Sequence, residues 1–152
     1  MNLQPFLLFL HLASVALWVG GMFFAYVCLR PTAVELFEPP QRLRLWHGVF
    51  ARFFVWVWAA VVLIPASGLV MLIQTGFAHA PLSWHLMLTT GLVMVGIFVF
   101  VATGPYVLLK RAVGAEDWKA GGAALNRIRQ WIGINLALGF VTIAIATLGQ
   151  WL

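Results

Sequence analysis

Acidic residues are almost missing from this chain. Of its 152 residues only Glu35, Glu38, Glu116 and Asp117 carry a side-chain carboxylate, and none lies in a long apolar run. That excludes hydrolysis by a buried carboxylate pair, and it argues against a pump driven by protons on intramembrane Asp or Glu. Cysteine is limited to Cys28, so neither an internal disulfide framework nor a thiolate cluster is available. The sequence also has no Gly-rich phosphate loop and no Cys–His cluster, so the motifs of soluble enzyme chemistry are absent. Met1–Pro5 holds no Lys or Arg, unlike the basic start of a secretory signal, which implies that the first apolar helix is retained.

What is present is apolar. Hydrophobic residues make up 63% and charged residues 9%, a balance that belongs in a bilayer. Four runs, at about 6–29, 53–77, 82–103 and 131–151, each reach the roughly 20 residues that cross a hydrocarbon core. The expected fold is therefore an all-α membrane protein, a single four-transmembrane-helix bundle over residues 1–152.

The net charge of +5 raises nucleic acid as a partner, but its distribution points to lipid instead. Arg30, Arg42, Arg44 and Arg52 surround the first connection, and Lys110, Arg111, Lys119, Arg127 and Arg129 surround the third. The second connection and the N-terminus have none. By the positive-inside rule both termini and the loop around His79 lie on the outer side.

Taken in order, helix one is expected to stop at Arg30-Pro31, with a cytoplasmic turn over Thr32–Pro40 and an interfacial lead-in over Gln41–His47. Pro65 predicts a kink in helix two, and Ser67-Gly68 after it leaves room for a neighbouring helix or a flat cofactor. Pro81 or Ser83 starts helix three, Gly104-Pro105 ends it, and Lys110–Arg129 reads as an amphipathic hairpin. On helix four Asn135, Gly139, Thr142, Ala146 and Gly149 form a face of small and weakly polar residues suited to close packing. That face serves either to close the bundle or to build a homo-oligomer.

Polar groups inside a membrane segment are expensive and therefore informative. At about 100° per residue His11, Val15, Trp18, Met22 and Ala25 share one stripe of helix one, which should face protein. Helices one and three both start on the outer side, so His11 and His85 fall at similar depths. Two imidazoles on different helices suit the axial positions of haem b. Met71, His79 and Met87 lie in the same outer layer, and imidazole with thioether suits copper, particularly Cu(I). The plain alternative is two separately satisfied histidines. Arg52 either snorkels to phosphate or meets a propionate or carboxylate. Asn135 either links helices or polarises a site, and His47, near the inner boundary, is either solvated or a ligand.

The run His11-x6-Trp18-x-Gly20-Gly21, with Arg30-Pro31, Arg52-Phe53, Ser67-Gly68 and Trp84-His85, resembles the copper-resistance D (CopD) family of bacterial inner-membrane proteins. That resemblance implies a multi-pass protein of the cytoplasmic (inner) membrane. It also implies a role in copper homeostasis, with outer-face His and Met as ligands and a periplasmic copper protein as partner. The chain is also similar to the HemJ-type protoporphyrinogen oxidases, small four-helix proteins that bind haem b. Where that family has a Lys early in helix three, this sequence has Met87. The second resemblance implies a haem-binding architecture, that of a haem-dependent membrane oxidoreductase with a redox partner, His11 and His85 as axial ligands and Arg52 at a propionate or quinone; in the copper reading Arg52 and Asn135 organise the inner half. A third reading is an accessory subunit of a larger membrane complex.

Overall fold

The computed structural model describes residues 3–149, and every regular element among them is helical. α1 (Gln4–Phe23) passes through a π turn (Phe24–Leu29) into α2 (Arg30–Leu36). α3 (Pro39–Thr75) is one long helix, α4 (Leu82–Thr103) and α5 (Pro105–Gly114) follow each other across Gly104, and α6 spans Trp118–Leu148. They form four rods, Gln4–Leu36, Pro39–Thr75, Leu82–Gly114 and Trp118–Leu148, each long and apolar enough to cross a membrane. The protein is thus an all-α, multi-pass membrane protein built as a four-span bundle.

The rods are longer than hydropathy alone marks. At 31 to 37 residues they measure about 50 Å, against about 30 Å of hydrocarbon. The surplus turns lie at one end of the bundle and carry every Lys and Arg in the chain, with Glu35; Glu38, Glu116 and Asp117 lie in the short connections between them. Hydropathy therefore read them as loops, although they are helical.

Pro31 likewise does not end the first rod. A proline ring conflicts with the carbonyl four residues earlier and offers no N–H. The π turn before it widens the backbone, Arg30 N–H bonding to the Ala25 carbonyl, and Pro31 then occupies the first turn of α2. Pro65 is accommodated inside α3, which is helical on both sides of it.

α1 packs chiefly along α3, and α4 and α5 chiefly along α6, while α1–α6 and α3–α4 contacts close the ring. α1 and α4 are therefore diagonal, meeting through large side chains such as Trp18 and Phe98, whose rings are 6.1 Å apart edge to face. The stripe on α1 faces inward as expected: Trp18, Met22 and Ala25 are buried and His11 and Val15 half-buried. Phe9, Leu12, Phe23 and Phe24, on its other faces, are exposed. On a water-soluble surface such residues would aggregate, and here they are the lipid contact.

The basic half of the core is aromatic. Trp46, Phe50 and Phe54, spaced by four on α3, stack at 5.1 and 5.2 Å, and Phe54 meets Phe98 and Tyr106 edge to face at 5.3 and 5.0 Å. In the other half the small face of α6 lets helices approach. A Cβ on Gly139 would lie 3.1 Å from Val19 Cγ2 and 3.3 Å from Met94 Cε. Gly139→Val adds two further carbons there. It is expected to cost about 1–3 kcal/mol by overpacking, read as a lowered melting temperature in detergent.

Candidate metal site

In the half of the bundle away from the charges, the four rods enclose a cavity of about 370 Å³. α1 contributes His11, Val15 and Trp18, α3 contributes Pro65, Gly68 and Met71, α4 contributes Trp84, Met87 and Met94, and α6 contributes Gly139, Thr142 and Ala146. The walls are predominantly apolar, and among the described residues they bear one imidazole, three thioethers and no carboxylate.

His11 is fixed by α3. Its Nδ1 lies 3.1 Å from the Ile64 carbonyl and 3.0 Å from Ser67 Oγ. A carbonyl only accepts, and the Ser67 hydroxyl itself donates to the Leu63 carbonyl, so Nδ1 must carry the ring proton. In the neutral ring the lone pair then belongs to Nε2. Anchoring one ring nitrogen on a backbone carbonyl is how ligating histidines are usually oriented. Gly68 makes the approach possible: a Cβ there would stand 3.3 Å from His11 Cε1. The room that Ser67-Gly68 leaves is taken by a side chain of helix one.

The structure brings together His11, Met71 and Met87, and adds Met94 to them. Met94 is not among the candidates named from the sequence, and its Sδ lies 3.8 Å from the Thr142 hydroxyl. Thr142 also donates to Thr90 Oγ1 at 2.8 Å, tying α6 to α4 beside the cavity. The spacing of Met87, Gly91 and Met94 on α4 is the signal that could have revealed this wall.

His85 is placed elsewhere. Its Nε2 is 3.1 Å from the Phe77 carbonyl in the α3–α4 connection, and it does not line the cavity. His79 is exposed in that same connection. Arg52, exposed, donates back to the Gly48 carbonyl at 3.1 Å. Asn135 is buried on α6 with its Oδ1 unpartnered. His47 packs on Tyr106, and its Nδ1 is buried without a partner. None of these residues lines the cavity. Among the described residues no three His, Cys, Asp or Glu side chains converge on one point.

Residues 47–148 match the family of copper resistance protein D. The chain belongs to the CopD family. The matched segment takes in most of α3 and all of α4, α5 and α6. α1 with His11 lies outside it. No curated protein and no solved structure gives a significant match. Within a CopD-family chain the donor set of the cavity is chemically coherent: neutral imidazole with thioethers, and without carboxylate, favours soft Cu(I) over hard cations.

Proposed function

We propose that this CopD-family protein binds copper as Cu(I) in the intramembrane cavity and handles it as cargo in copper homeostasis. His11 Nε2 is the anchoring ligand, with Met71 and Met87 as weaker ligands and Met94 as a third thioether. His79 and His85, at the α3–α4 connection, are the neighbouring donors from which copper is passed to His11. The observation that carries the reading is the His11 ring itself, held at Nδ1 by the Ile64 carbonyl on a wall it shares with the thioethers. On this reading the outer side is the periplasmic side of a bacterial inner membrane, and a periplasmic copper protein is the donor.

The test is to purify the protein in detergent, load it with Cu(I) under reductant, and record X-ray absorption at the copper edge. One nitrogen and two or more sulfur scatterers are expected. The double variant Met71→Leu/Met87→Leu leaves Met94 as the remaining thioether and is expected to cut the sulfur signal to a single scatterer and to weaken Cu(I) binding by about tenfold. An all-nitrogen or all-oxygen shell would overturn the assignment. A Soret band with sharp reduced α and β bands in the unloaded protein would replace it by haem b.

A further inference from the structure

At the charged end a second cavity, of about 250 Å³, opens between the first rod, α3 and α6. Three arginines from three separate rods line it: Arg30 at the start of α2, Arg42 on α3 and Arg129 on α6. All three are half-buried, and no carboxylate lines the cavity with them. The ion pair at this end, Arg44 with Glu116 at 2.9 Å, lies outside it. Arg30 rests over the Tyr26 ring at 5.4 Å, which holds its guanidinium at the cavity. Tyr26 belongs to the π turn, so the irregular backbone and the basic cluster coincide. The floor is apolar, formed by Leu43, Trp46, Phe50 and Ile128. Val34, also on the wall, is 55% exposed, beside the outward-facing Phe24 and Val27 of the π turn.

Three guanidiniums without a counter-charge call for an anion, and their planar forks match phosphate oxygens. An apolar floor continuous with the lipid-facing surface calls for a ligand that also has hydrocarbon. A free inorganic ion has none. We infer that Arg30, Arg42 and Arg129 form a binding site for the phosphate headgroup of an anionic phospholipid, whose acyl chains lie against the first rod. Basic pockets between transmembrane helices at the positively charged membrane face are suited to such headgroups. This site is independent of the copper cavity at the opposite end.

Native mass spectrometry of the full chain, released from detergent containing phosphatidylglycerol and phosphatidylcholine in equal amounts, tests the site. One retained phosphatidylglycerol per chain is expected, with weak retention of phosphatidylcholine. Each of Arg30→Gln, Arg42→Gln and Arg129→Gln is expected to weaken retention about fivefold, and the triple variant about a hundredfold. The control Lys110→Gln/Arg111→Gln/Arg127→Gln removes the same charge outside the cavity and should retain the lipid. Equal loss in the control and the triple variant would reduce the effect to general surface charge and overturn the site. Equal retention of both lipids by the wild type would overturn it without any variant, and so would displacement by inorganic phosphate, which would make this a free-anion site. The single variants decide the matter should the triple variant not fold.

Discussion

Replacing His11 by alanine is expected to reduce Cu(I) affinity by more than about a hundredfold while leaving the bundle folded. Loss of a residue that merely orients a metal ligand costs about 10–100-fold, and loss of the one imidazole that the described residues place on the cavity wall must cost at least the upper end of that range. The thioethers of Met71, Met87 and Met94 remain, and they are weaker donors. Stability should change little, because the partners His11 leaves behind are otherwise satisfied: the Ser67 hydroxyl still reaches the Leu63 and Ile64 carbonyls on its own helix. Ser67→Ala, by contrast, keeps the ligand but removes one of the two acceptors that hold Nδ1, and is expected to weaken Cu(I) by about tenfold. A competition titration against a chromophoric Cu(I) chelator reads all three proteins. Unaltered affinity in His11→Ala would remove copper from this cavity.

The largest loss of stability is expected for Phe54→Ala. This ring is 6% exposed and joins three others, Phe50, Phe98 and Tyr106, so it links α3 to α4 and α5 at once. In water-soluble cores Phe→Ala costs about 3–5 kcal/mol, of which part is transfer from water and part is the cavity left behind. Lipid reduces the first part, since an unpacked ring is no longer facing water, but the lost contacts persist. A destabilisation of about 2 kcal/mol or more therefore remains. Trp56→Ala, two residues on but 63% exposed, should change stability by less than about 0.5 kcal/mol. Thermal unfolding in one detergent, followed by loss of monodisperse protein, compares the two. Equal effects would mean that the aromatic column does not carry the packing.

Much of this architecture was legible in the residues. The four apolar runs and the concentration of charge around two connections define the spans, and the stripe from His11 to Ala25 was readable as an inward face because a 3.6-residue period allows only one such line. What could not be read depends on tertiary placement. Hydropathy stops at the last apolar residue, so the helical turns carrying Arg30 to Arg52 and Lys110 to Arg129 looked like loops. Depth alone paired His11 with His85, but depth does not fix rotation about a helix axis, and the carbonyl of Phe77 accounts for where the His85 ring turns. Met94 lies two helical turns from Met87, and only the packed bundle shows that its side chain lines the same cavity. Arg30, Arg42 and Arg129 could not have been grouped at all, since their common feature is a meeting of three rods.

The pairing of α1 with α3, and of α4 and α5 with α6, bears on how the molecule is made. Each pair is local in sequence, so the first hairpin can bury its seam before α4 has left the ribosome, and the second can do the same on its own. The final event is then the docking of two finished halves. The cavity that holds His11 and the methionines is lined from both halves and is complete only once they meet. Whatever occupies it binds the docked state alone and so holds the halves together by mass action. Ligand binding and assembly are then coupled on the proposed reading, and a newly made chain supplied with Cu(I) should resist quality-control proteolysis better than one left empty.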